Sequence, residues 1–165
     1  MSNISTTTLT MKRTFNVNPE SVFDAWLNPL KMKKWFFTLE GTNKVVKNNP
    51  KVDGDWEIVD HRQGVDYRAI GKYLEIDDDE KIIFTFKMPQ FSELEDTIKV
   101  ELNEVAQGCE MTFTHIIHVE DDANWTASDQ TKVLIEMHDE TEQGWNLMFM
   151  GLKELVETGE VSYKG

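Results

Sequence analysis

From Leu9 to Val17 hydrophobic and polar residues alternate: Leu9, Met11, Phe15 and Val17 point one way, and Thr10, Lys12, Thr14 and Asn16 the other. The pattern predicts a half-buried strand. Arg13 falls on the apolar side of it, where a charge needs a partner or a route to water past the strand end. Asn18-Pro19-Glu20 then offers an N-cap residue followed by proline at the first helical position, and Val22, Phe23, Trp26 and Leu27 repeat at helical spacing. A short helix is expected here. Asn28-Pro29 ends it, and Leu30, Lys33, Lys34 and Trp35 predict one more brief helical turn running into Phe36-Phe37.

The middle of the chain is a succession of short alternating runs over residues 44–47, 55–62, 66–76, 81–88, 96–105 and 109–119. Turn chemistry separates them at Pro50 to Gly54, Gln63-Gly64, Asp77 to Glu80, Met88-Pro89 and Gln107-Gly108. Links this short favour antiparallel pairing. One face is plain in the later runs: Ile82, Phe84, Phe86 and Met88; Ile98, Val100 and Leu102; Met111, Phe113, His115 and Ile117.

After a cap expected at Ser128 or Asp129, one stripe carries Leu134, Met137, His138, Thr141, Trp145, Met148, Leu152 and Leu155. This predicts a helix of roughly 28 residues, or about 40 Å at 1.5 Å per residue. Gly144 and Gly151 each cost a helix interior about 1 kcal/mol, so their place in the stripe implies close packing against the sheet. A long helix must bury its stripe on the one large apolar face available. The expected architecture is therefore α+β: strand, two short helices, six strands and a long C-terminal helix in a single domain over residues 1–165.

Composition narrows the class. A chain of 165 residues, 39% hydrophobic and 28% charged, matches a globular domain, and one of about 150 residues buries roughly two thirds of its unfolded surface. No apolar run approaches the roughly 20 residues that span a bilayer, and Met1 to Thr10 lacks the basic-then-apolar order of a secretory leader. With Cys109 as the lone cysteine, this points to a cytoplasmic, reducing location. A net charge of -13 repels phosphate backbones and anionic head groups, which argues against nucleic acid or membrane insertion. The acidic runs Asp77 to Glu80 and Glu120 to Asp122 lack the alternation and central glycine of a calcium loop and read as solvated turns.

Five blocks in order make the chain recognisable. They are Arg13 to Trp26 followed by Pro29 and Trp35; Asp53-Gly54-Asp55-Trp56; Gly71 to Ile76 continuing to Lys81 to Phe86; Gly108 to His115; and Gly144-Trp145 with Leu152 and Leu155. Together they resemble the Aha-type (activator of heat-shock-protein ATPase homologue) branch of the START-like superfamily, also called SRPBCC, which includes polyketide cyclases and birch-pollen allergens. The chain departs from that pattern where the family often has a second glycine and this chain has Asp53 or Asp55. The resemblance implies a helix-grip fold: a curved antiparallel sheet of about six or seven strands wrapped around the terminal helix, with a cavity between them.

Residues from the two facing surfaces are the candidate ligand-binding set: Arg13, Trp56, Ile58, Phe84, Phe86, Ile98, Val100, Met111, Phe113, His115, Thr141, Trp145, Met148 and Phe149. Each apolar member has an alternative reading as plain core. His115 is either a hydrogen-bonding handle for a guest or a satisfied core histidine. Arg13 either anchors a carboxylate or phenolate guest or pairs with an inward acid such as Asp60 or Glu75. His138 and Glu142 lie one helical turn apart, but two ligands without a third do not make a metal site. No cofactor is called for.

Three functions remain open. The first is binding of a small hydrophobic molecule, whether lipid, polyketide or aromatic compound. The second, implied by the resemblance, is a co-chaperone-like module acting on a heat-shock ATPase. The third is a cyclase- or hydrolase-type enzyme using His115, Arg13 and Tyr67 or Tyr73 as acid and base, although no motif supplies a nucleophile beside a base.

Overall fold

The computed structural model describes residues 3–165; Met1 and Ser2, the first residues of the stretch read above as unlike a leader, lie outside it. The expected elements form in the expected order: β1 (Ile4–Phe15), α1 (Pro19–Leu27), α2 (Pro29–Trp35), β2 (Asn43–Asn48), β3 (Asp55–Arg62), β4 (Val65–Asp77), β5 (Lys81–Phe86), β6 (Asp96–Val105), β7 (Gly108–Glu120) and α3 (Ala127–Thr158).

Local chemistry explains the starts and stops. The Asn18 side chain accepts from the Ser21 N–H at 3.0 Å, and Pro19 opens α1. Asn28 does the same for α2, accepting from the Leu30 N–H at 3.0 Å ahead of Pro29. The long helix begins two residues before the expected caps. Thr126 and Asp129 form a reciprocal capping box, and the helix runs 32 residues to Gly159, which caps it with a left-handed φ of 92°.

The seven strands form one antiparallel sheet in the order β1-β7-β6-β5-β4-β3-β2. Its curvature has a local cause that alternation could not reveal. A bulge in β4 shifts the register against β5 between Tyr73 and Glu75, and another disturbs β2 against β3 between Asn43 and Val45. An extra residue on one strand bends it and sharpens its twist, so the β2–β4 end of the sheet curls over the helices. At Gly71 the indole of Trp56 lies where a side chain would otherwise stand and donates to the Thr85 carbonyl at 3.2 Å, so only glycine fits.

A single hydrophobic cluster joins the concave sheet face to α1, α2 and the second half of α3. The buried residues of α3 are Trp145, Phe149, Leu152 and Leu155, all in its second half. The first half, with Leu134, His138 and Thr141 only half-buried, overhangs the sheet without sealing against it. Nor do the two helical glycines pack on the sheet as their position implied. Nothing lies within 4 Å of a side chain placed at Gly144, and Gly151 meets Trp35 of α2 and Val161 of the C-terminal segment at ordinary distance.

Candidate functional site

The centre of the sheet–helix interface is filled. Trp26 of α1 and Trp35 of α2 meet edge to face at 4.7 Å, and Trp145 of α3 lies 4.5 Å from Phe113 of β7. Phe36, Trp56, Phe84 and Phe149 complete the aromatic cluster, with Phe36–Trp56 at 5.1 Å and Phe113–Phe149 at 5.0 Å. These centroid separations are those of packed rings. Among the candidate residues Trp56, Ile58, Phe84, Ile98, Val100, Met111, Phe113 and Phe149 are therefore core, and none of them lines a cleft. The reason is the material from α1 and α2. Pairing sheet with α3 alone leaves room between them, and Trp26, Trp35 and Phe36 occupy it.

His115 is a satisfied core histidine, 2% exposed. The Trp145 indole N–H donates to its Nδ1 at 3.0 Å, and since indole nitrogen is donor only, Nδ1 is the acceptor. The proton then sits on Nε2 and is donated to Asp96 Oδ2 at 2.8 Å. Asp96 also accepts the His118 backbone N–H at 2.9 Å. With both ring nitrogens engaged by the protein, His115 is not a handle for a guest.

Arg13 is half-buried beside α3. It donates to the Asn146 side chain at 2.9 Å and to the Lys12 carbonyl at 2.7 Å, and its guanidinium carbon lies 5.9 Å from the Phe149 ring centre. It neither pairs with Asp60 or Glu75 nor reaches a cleft: β7, β6 and β5 stand between β1 and the strands that carry those acids, where Glu75 pairs with Lys81 at 2.7 Å and Asp60 with Arg62 at 2.5 Å. The acid–base set of the enzyme reading is likewise not assembled. The Tyr73 hydroxyl is buried on Asn48 at 2.7 Å, Tyr67 and His115 line different clefts, and Arg13 lines neither. On the exposed face of α3, His138, Asp139 and Glu142 bring one donor atom each within 4.8 Å of one another, a solvated cluster with no buried member.

Open space lies beside the filled centre instead, along α3 between Met137 and Glu154. A cleft of about 300 Å³ is lined by Phe86, Met88, His115, Thr141, Trp145 and Met148, with Phe37 and Phe91. Beside it a larger cleft of about 800 Å³ runs between Trp35, Phe37, Leu147, Met148 and Met150 to a polar end formed by Thr38, Asp60, Arg62 and Tyr67. Phe37, Met88, Phe91, Gly144 and Met148 line both, so the two are neighbours divided by shared walls. Of the candidate set, then, Phe86, His115, Thr141, Trp145 and Met148 face open space. Both volumes fall in the range of small-molecule sites, roughly 300–1,000 Å³.

Phe37 stands at the division. Its backbone is left-handed, φ 57°, an uncommon and costly state for a bulky residue. The ring is held by parallel stacking on Phe86 at 4.8 Å, and its N–H contacts the Met148 sulfur at 3.3 Å. The mouth of the larger cleft is apolar and unusually bare: Phe91 is 67% exposed, Leu147 69%, Met150 63% and Tyr163 72%.

At the polar end the inner face of β3 changes character along its length, from Trp56 and Ile58 to Asp60 and Arg62. The Asp60 carboxylate is buried and accepts from the Thr38 hydroxyl at 2.8 Å and the Thr42 hydroxyl at 2.5 Å. Arg62 was missed by the sequence reading, as were Phe37 and the apolar residues of the mouth. The signal for Arg62 was present in the alternation of β3, which carries inward past Ile58 to residues 60 and 62.

No curated protein matches the sequence. Among solved structures, a protein of unknown function from Staphylococcus aureus is 29% identical, with a TM-score of 0.89 over 94% of this chain and 96% of that one. A protein from Chromobacterium violaceum is 22% identical, with a TM-score of 0.70 over 91% and 96%. One from Nitrosomonas europaea is 21% identical, with a TM-score of 0.70 over 92% and 95%. These last two likenesses speak for the fold alone. Residues 16–157 match the family model described as Activator of Hsp90 ATPase homolog 1-like protein. With its seven-stranded helix-grip architecture and a family match over most of its length, the chain belongs to the Activator of Hsp90 ATPase homolog 1-like family.

Proposed function

We propose that this protein binds a small, largely apolar molecule in the paired clefts that flank α3 between Met137 and Glu154. One observation carries the reading: hydrophobic side chains at the mouth, Phe91, Leu147, Met150 and Tyr163, stand in water above a cleft of about 800 Å³. Isolated exposed apolar residues need no explanation, but a contiguous set rimming a concavity does. The methionines Met88, Met148 and Met150 adapt their shape at little cost and suit a site tolerant of different guests. The one cluster joining β1 to α3 supports treating the whole chain as a single domain. A lone, buried Cys109 fits work in the cytoplasm.

The test is calorimetric titration with dodecan-1-ol, comparing the native protein with Gly144→Phe, which places a ring in the space between the clefts. The expected result is binding by the native protein and at least tenfold weaker binding by the variant. Absence of binding, or equal binding by both, would contradict the site.

The family description together with the same bare apolar mouth also supports a second reading, a co-chaperone-like surface acting on a heat-shock ATPase. Stoichiometric capture of purified Hsp90 by this protein, abolished by Leu147→Asp, would place that reading first.

A further inference from the structure

The larger cleft has a chemically distinct end, set apart by the charged groups that line it. Two carboxylates line it, and both are engaged. Asp60 is held by the Thr38 and Thr42 hydroxyls and paired with Arg62, while Glu154 accepts from the backbone N–H and the hydroxyl of Ser162. Among the described residues Arg62 is the one cationic side chain that lines it. Its Nε faces Asp60 Oδ2 at 2.5 Å, and its guanidinium carbon lies 4.9 Å from the centre of the Tyr67 ring. Among the described residues no acceptor hydrogen-bonds its Nη groups, and the side chain is 57% exposed. The Tyr67 and Tyr163 hydroxyls that also line the cleft each donate as well as accept, so the Nη edge of Arg62 is its one charged group, among the described residues, that can only donate and stands open.

We propose that the occupant of this cleft is an amphipathic carboxylate, its apolar body along Trp35, Phe37 and Met148 and its carboxylate received by the free Nη edge of Arg62. The proposal rests on the reading of the cleft given above and adds the class of its guest. Asp60 and Tyr67 fix the plane of the guanidinium from two sides, so little freedom remains to be lost when the fork binds. Two coplanar oxygens match the spacing of two parallel N–H groups, which a hydroxyl or an amide does not. A chain with net charge -13 opposes a doubly charged head group more strongly than a single charge, which favours carboxylate over a phosphate monoester. Arg62 thus takes the anchoring role that the sequence suggested for Arg13.

The test titrates dodecanoate, dodecan-1-ol and dodecyl phosphate, each below its aggregation concentration, into the native protein and Arg62→Gln. The expected result is that dodecanoate binds the native protein about tenfold tighter than the alcohol and also tighter than the phosphate, as charge-assisted hydrogen bonds should give. In Arg62→Gln the acid should fall to the affinity that the alcohol shows for the same variant. Equal binding of acid and alcohol by the native protein, which needs no variant to fold, would overturn the carboxylate assignment while leaving the cleft reading standing. Tighter binding of the phosphate, or an acid affinity insensitive to Arg62→Gln, would overturn it in the same way. Failure of all three probes to bind would overturn both.

Discussion

His115 illustrates how a side chain that invites a functional reading becomes structural once its neighbours are known. It sits between a donor and an acceptor that cannot exchange roles, Trp145 and Asp96, and links α3 to β6 and β7 through the edge of the core. Replacing it by alanine leaves an indole N–H and a carboxylate without their partner. We expect His115→Ala to lower stability by roughly 2–4 kcal/mol in urea unfolding. A loss below about 0.5 kcal/mol would contradict the assigned role. Cys109 gives a pH-dependent case. It is fully buried, and burial pushes its thiol up to about 11 from an ordinary value of 9.0. The folded state holds this proton more tightly than the unfolded chain. Its contribution is therefore complete below the ordinary thiol value and is lost as pH rises toward about 11. Urea unfolding at about pH 8 and about pH 10 should show a steeper decline for the native protein than for Cys109→Ala; parallel declines would contradict it. Neither the pairing of His115 nor the pairing of Arg62 with Asp60 could be read from sequence. Each depends on which of several acids the tertiary fold brings close.

At the scale of elements the sequence was far more legible, because each strand and helix is set by nearby residues. Alternation located six of the strands within two positions and missed the start of β1, which begins at Ile4 rather than Leu9 because Ser5 to Thr8 offer no apolar alternation, and the Asn18-Pro19 and Asn28-Pro29 pairs marked both short helices. What periodicity could not supply was the use made of α1 and α2. They send Trp26, Trp35 and Phe36 into the space that sheet and α3 alone would leave between them, and so displace the opening to the flank of α3 between Met137 and Glu154. The glycines record the same shift. Gly71→Ala would drive a methyl group into the Trp56 indole and the Thr85 carbonyl, and we expect it to destabilise by roughly 2–3 kcal/mol. Gly144→Ala meets empty space in a helix interior and should stabilise by about 0.5–1 kcal/mol. Thermal unfolding of the two variants separates these outcomes, and destabilisation by Gly144→Ala would mean that the wall of the cleft is not open at that point.

Considered whole, the molecule divides its sheet–helix interface into a solid aromatic half and an open half, and the sequence carried the fold further than it carried this division. The core positions and the curved seven-stranded sheet follow from pattern and bulges, whereas the place of the opening is decided by what fails to be filled. Among the described residues no helix is long and apolar enough to cross a membrane, so the bare residues of α3 are not explained by a membrane span. The proposed guest would cover them. Backbone chemical-shift mapping during titration with dodecan-1-ol tests this most directly. It predicts the largest changes at Phe37, Phe91, Gly144, Leu147 and Gly151, with Ile98, Val100 and Met111 little affected. Changes confined to those three strand residues, or none anywhere, would contradict it.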